Sequence, residues 1–205
     1  MKKPVKRSRR LVIGLTGGYG TGKSTVAAIL KGWGARIIDA DAIGHKLLSP
    51  GTNVHSAVLR RFGRGILRPR SDVIDRQALS RVVFGNDAQL RALDSIMHPA
   101  ILRIVRRQVA GIKNGMVVID APLLVETGFH RNVDKLVVVT ASREHQIKRV
   151  QGKRGLSRAA VISRIRSQIP LQDKVRMADF VIDNNGTRKD LRKAVTELRR
   201  MWWTS

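Results

Sequence analysis

Apolar residues fall along this chain in short unbroken runs separated by longer stretches in which they recur every third or fourth position. Leu11-Val-Ile-Gly-Leu15, Gly115-Met-Val-Val-Ile-Asp120, Lys135-Leu-Val-Val-Val-Thr140 and Ala178-Asp-Phe-Val-Ile-Asp183 are rich in β-branched residues and too short for helices. Such continuous apolar character marks strands covered on both faces. Arg36-Ile-Ile-Asp39 reads as a shorter strand of the same kind. Between these runs the spacing is helical. It predicts a first helix over residues 23–33, ending near Gly32 and Gly34, and a largely helical section over 43–113. Pro50-Gly51 breaks that section, Val54–Phe62 resumes it, and residues 63–70 form a turn-rich loop. Asp75–Phe84 and Asp87–Ile96 are amphipathic, and His98-Pro99 is expected to open a separate helix to about Ile112, because proline suits a first helical turn.

Towards the C-terminus, Ser142 reads as the N-cap of a helix that Gly152-Lys-Arg-Gly155 interrupts, and Ser157 starts another that runs to Pro170. Thr187-x-x-Asp190 is a capping box for a last helix burying Leu191, Ala194, Val195 and Leu198. Strands alternating with helices imply a mostly parallel, doubly wound α/β sheet. The 43–113 section is far longer than a minimal crossover, so it is expected to be an inserted helical substrate domain. The predicted organisation is a basic disordered arm (1–10), a core (11–42, 114–143 and 169–205), the helical acceptor subdomain (43–113) and a lid (144–168).

Charge changes this picture only in part. The 205 residues carry 40 Lys and Arg against 15 Asp and Glu, a net charge of +25. That balance suits nucleic acid, an anionic surface or a polyanionic substrate. The cations are spread along the chain and aromatic residues for base stacking are only 4%, so no specific nucleic-acid partner is expected. With no cysteine there is no disulfide or thiolate metal site. No apolar run approaches the roughly 20 residues of a membrane span, and the basic N-terminus lacks the apolar region of a secretory signal. The expected location is therefore cytoplasmic, with no membrane partner. The sequence does not indicate an oligomeric state.

The candidate chemistry starts at Gly17-Gly-Tyr-Gly-Thr-Gly-Lys-Ser-Thr25, between the first strand and the first helix. The spacing Gly17-x-x-x-x-Gly22-Lys23-Ser24 is a phosphate-binding loop. Gly18, Gly20 and Gly22, with Thr21 and Thr25, let backbone amides approach anionic oxygens at the positive end of a helix. Lys23 reaches outer phosphates as a point charge, and Ser24 can ligate Mg²⁺. Asp39 and Asp41 follow the second strand; if extended, their carboxylates share a face, one to orient or deprotonate an attacking hydroxyl and the other to organise metal-bound water. Asp120, ending the third strand, is a candidate Mg²⁺ carboxylate. Leu123 and Glu126, in the stretch after Asp120, are candidate walls of an acceptor pocket, and His98 is a candidate substrate contact. Arg149, Lys153 and Arg154 are candidate lid cations for the transferring phosphoryl group.

This combination resembles the dephospho-coenzyme A kinase family. The likeness rests on Leu15-Thr-Gly-Gly18 leading into Gly22-Lys-Ser-Thr25, Ile38-Asp-Ala-Asp41, His98-Pro99, Pro122-Leu-Leu-Val-Glu126, Gln146-x-x-Arg149, Ser167-Gln168 and Ala178-Asp-x-Val-Ile-Asp-Asn184, in family order over about residues 11–200. The resemblance implies a three-layer phosphate-loop fold with a five-stranded parallel sheet in the order 2-3-1-4-5. It implies ATP with Mg²⁺ as donor and the ribose 3′-hydroxyl of dephospho-coenzyme A as acceptor. Asp41 is then the general base and Lys23 the phosphate lysine. The chain departs from the family at Lys153, where arginine is usual, and lysine cannot make arginine's planar two-pronged contact. The rival readings are a nucleotide or nucleoside kinase of the same fold and a phosphate-loop nucleic-acid-binding ATPase.

Overall fold

The central strand is β1 (Leu11–Gly17), whose side chains are buried from Val12 onward. It pairs in parallel with β3 (Met116–Asp120) on one side and β4 (Lys135–Thr140) on the other. β2 (Arg36–Asp39) lies beyond β3, and β5 (Phe180–Asp183) runs parallel to β4, giving a five-stranded parallel sheet in the order β2-β3-β1-β4-β5. The computed structural model describes residues 10–83 and 86–202. Residues 1–9 of the expected arm therefore lie outside the described residues. Arg10 is held: its guanidinium donates to the carbonyls of Val109 (3.0 Å) and Ile112 (3.2 Å).

The chain divides into two compact units. One comprises residues up to Ile38 and from Val109 onward; the other is Asp39–Gln108. In the first, helices α1 (Lys23–Gly32) and α9 (Arg188–Trp202) pack on the sheet, and Val26, Leu30, Leu191, Val195 and Leu198 join Ile13, Leu15, Val118, Val137, Val139 and Ile182 in one core. Each such side chain contributes about 1.5–3 kcal/mol by leaving water. The capping box at the start of α9 forms as expected, Thr187 N donating to Asp190 (2.9 Å) and Asp190 N to the Thr187 hydroxyl (3.3 Å). The second unit holds α2 (Ala40–Leu47), α3 (Asn53–Phe62), α4 (Arg76–Val83) and most of α5 (Asp87–Ala110). Its core is Val54, Val58, Ile66, Ile74, Leu79, Val83 and Met97.

Four local expectations need correction. Pro99 does not open a helix; it lies inside the continuous α5. An interior proline costs a helix about 3 kcal/mol. Leu93, Ile96 and Met97 before it and Ala100 and Ile101 after it pack into the same core, and that burial outweighs the lost bond. Helix α6 (Arg143–Arg154) runs through Gly152 and stops at Gly155, which alone adopts the left-handed conformation (φ 62°) that ends a helix. Helix α7 (Arg158–Arg166) ends before Pro170, and a further short helix, α8 (Leu171–Arg176), follows. Finally, the chain is not extended through both acids: Asp39 ends β2 in an extended conformation, but the helix starts at Ala40, so the two carboxylates do not share a strand face. Asp39 caps α2, accepting from Ala42 N at 2.9 Å, and Asp41 sits in the first turn. An N-cap residue keeps β-region dihedrals, so Asp39 can close the strand and cap the helix at once.

Candidate active site

The loop between β1 and α1 is shaped by residues that cannot be exchanged freely. Gly20 (φ 81°) and Gly22 (φ 95°) are left-handed, and a Cβ on Gly20 would lie 2.8 Å from Val150 Cγ2, while one on Gly22 would strike the Asn184 amide. Thr21 is fully buried, and its hydroxyl closes the turn by donating to Gly18 O at 2.9 Å. The Thr21 carbonyl is braced from two distant elements. Asn184, after β5, donates to it at 2.7 Å, and Arg149 of α6 donates at 3.4 Å while reaching the Asn184 carbonyl at 2.8 Å. Tyr19 N donates to Gln168 Oε1 (2.9 Å), and Arg164 of α7 donates to the Tyr19 hydroxyl (2.9 Å). Gln146 is buried: its amide donates to Ala141 O at 2.8 Å, and its Oε1, with no hydrogen-bond partner among the described residues, faces Gly18.

Whereas α2, α3, α6 and α7 are capped by Asp39, Thr52, Ser142 and Ser157, α1 begins at Gly22 with no side-chain cap and no acid in its first turn. Its first amides and dipole are thus left available to an anion. Lys23, the first residue of α1, pairs with Asp120 at the end of β3, where β3 and β1 meet in the register Leu15↔Asp120. The two side chains are 18% and 11% exposed, so the ammonium and carboxylate interact with little screening by water. Ser24 beside them is exposed. Together these groups make a cationic, amide-lined cradle suited to a polyphosphate.

A family model for dephospho-CoA kinase matches residues 11–190. The chain belongs to the dephospho-CoA kinase family. It is 40% identical over 194 residues to a dephospho-CoA kinase of Carboxydothermus hydrogenoformans, covering 93% of this chain and 94% of that one. Among solved structures it is similar to a protein from Thermus thermophilus (TM-score 0.86, 31% identity, 97% of this chain and 100% of that one). It is also similar to a dephospho-CoA kinase from Campylobacter jejuni (TM-score 0.60, 26% identity, 94% and 97% covered). The matched range starts just after the basic arm.

Against that family, the described residues fall into groups. Lys23 and Asp120 come together at the strand ends, Ser24 follows Lys23 as an exposed residue of α1, and Arg149 lies on the Thr21 and Asn184 carbonyls. Glu126 pairs with Lys174 of α8 at 2.7 Å, and Leu123 is 40% exposed. Asp39, Asp41 and His98 belong to the unit Asp39–Gln108; Asp41 is exposed, and His98 Nε2 lies 3.3 Å from Asp94 one turn earlier on α5. Lys153 is exposed at the end of α6, and the Arg154 side chain lies outside the described residues. Sequence reasoning gave no site role to Asn184 or Lys174. Asn184 carried a signal, since it ends a strand on the side where such sheets bind ligands. Lys174 carried none.

Among the described residues no group of three or more His, Cys, Asp or Glu could hold a metal. The donors at the loop nevertheless fit Mg²⁺, which prefers hard oxygens, keeps several waters and takes the rest of its shell from phosphates. The Ser24 hydroxyl and the Asp120 carboxylate supply such oxygens.

Proposed function

We propose that this chain transfers the γ-phosphoryl group of ATP to the ribose 3′-hydroxyl of dephospho-CoA, giving CoA and ADP. The observation that carries this reading is the uncapped start of α1 with Lys23 and Asp120 beside it, in a chain of this family. The loop amides and Lys23 hold the β- and γ-phosphates. Asp41 orients the hydroxyl and accepts its proton, and Asp39, His98, Leu123 and Glu126 contact the acceptor. Arg149, with Lys153 or Arg154, offsets charge on the transferring group as the 144–168 segment excludes water. Ser24 and Asp120 are the residues that would hold Mg²⁺, which when bound offsets charge on the phosphate oxygens. No helix among the described residues is long and apolar enough to cross a membrane, and the proposed compartment is the cytoplasm.

The deciding experiment is a coupled ADP-release assay with dephospho-CoA, the product identified by mass. Formation of CoA is expected, and turnover of nucleotides in its place would overturn the acceptor. In the same assay Asp41→Asn should lose most of kcat with little change in the KM for ATP. Near-normal turnover would remove Asp41 from the role of base.

A further inference from the structure

Lys174 lies in α8 between neighbours that look like an ordinary solvated face, since the Asp173 and Arg176 side chains are 41% and 77% exposed. Its own side chain has no exposed surface. The ammonium donates to the Pro122 carbonyl at 2.7 Å and lies 2.7 Å from Glu126 Oε1. The same Pro122 carbonyl accepts the hydroxyl of Thr16 at 3.1 Å, and Thr16 is fully buried near the end of β1, just before the phosphate loop. One carbonyl thus joins the strand that feeds the loop, the stretch after β3, and α8.

Burial pushes the Lys174 pKa down, Glu126 pushes it back up, and the charge on Lys23 lowers it again, so this ammonium lies within the field of the phosphate lysine. A buried ion pair is weak evidence for stability, because an apolar residue of the same volume often holds the packing as well. Packing therefore does not account for a charge here.

We propose that Lys174 is a positioning residue for phosphoryl transfer, fixing the Glu126 carboxylate and the Pro122 carbonyl so that residues 121–126 keep a constant relation to the phosphate loop. This rests on the kinase reading above, in which Glu126 contacts the acceptor. Lys174 acts through these two groups and touches no substrate itself.

The test compares the full-length wild type with Lys174→Met, Glu126→Gln and the double variant, by ADP release with ATP and dephospho-CoA and by melting temperature. Each single change should lower kcat by about 100-fold, the scale of a small misplacement in a reacting site. The KM for ATP should stay within about threefold. The double variant should be no slower than the slower single one, because either change breaks the same unit. Carrying a neutral pair, it should melt within about 3 °C of the wild type. Wild-type kcat in folded Lys174→Met, or losses that multiply in the double variant, would overturn the proposal. If Lys174→Met alone does not fold, the double variant, which carries a neutral pair, is compared with Glu126→Gln, whose side chain is already 18% exposed. A kcat equal to that of Glu126→Gln supports the proposal, and a further multiplied loss sinks it. A wild-type chain that fails to phosphorylate dephospho-CoA would instead overturn the kinase reading.

Discussion

Gly22→Ala tests the geometry of the loop at a single methyl group. The residue has φ 95°, a conformation that costs an L-residue with a side chain about 1–2 kcal/mol. The new Cβ would also strike the Asn184 amide, which is buried and already committed to the Thr21 carbonyl at 2.7 Å. Moving that amide forfeits a buried hydrogen bond worth about 1 kcal/mol and leaves Thr21 O to the longer Arg149 contact. The sum is roughly 2–3 kcal/mol, which in a chain of this size lowers the melting temperature by roughly 4–12 °C. Because the displaced groups are those that shape the phosphate cradle, the KM for ATP should rise in the same variant. The control is Gly32→Ala, at the end of α1, where a Cβ meets nothing within 4 Å. That change should leave the ATP KM alone and stabilise by up to about 1 kcal/mol. Scanning calorimetry and the ADP-release assay read both effects. A Gly22→Ala chain that melts with the wild type and keeps its ATP KM would refute the argument that backbone conformation and the Asn184 brace hold this loop.

Other substitutions separate stability from chemistry. Arg149→Ala removes charge-assisted bonds to the Thr21 and Asn184 carbonyls and should lower kcat/KM for ATP by about 10–100-fold in the same assay. Thr187→Ala deletes the capping box of α9 and should cost about 1 kcal/mol in urea unfolding with kcat unchanged. Asp179 is affected by burial, which raises its pKa, but the Leu136 amide (2.7 Å) and Lys135 (3.1 Å) outweigh that and hold the carboxyl below its ordinary range. A carboxylate depressed in the folded state adds stability that is present above its unfolded pKa of about 3.9 and is lost as pH falls through the folded value. Urea midpoints measured from neutral pH downward should therefore fall less steeply for Asp179→Asn than for the wild type, and parallel curves would contradict the assignment.

What was legible in the sequence follows from range. The strands announced themselves because both faces of the sheet are covered, so β3 is buried at every position and reads as one apolar run. Lys23, Ser24 and Asp120 could be named as candidates because strand ends and the glycine spacing mark them locally, and the structure pairs Lys23 with Asp120. Pro99 misled because a local rule about proline met a tertiary core that holds both flanks of the residue in one helix. Asp41 misled for a related reason: Asp39 ends β2 and also caps α2, so the chain turns helical at Ala40 and Asp41 leaves the strand. The braces of the site were not legible, since they join residues far apart in the chain. Asn184 lies 163 positions from Thr21, Arg149 lies 128 from it, and Lys174 lies 52 from Pro122. In a chain with 40 Lys and Arg a single lysine has no distinguishing composition around it. Only burial separates Lys174 from the solvated cations beside it, and burial depends on where α8 packs. Abundant surface charge can draw polyanionic substrates in, but it cannot fix the position of one carboxylate, and that second task needs a cation from which water has been removed.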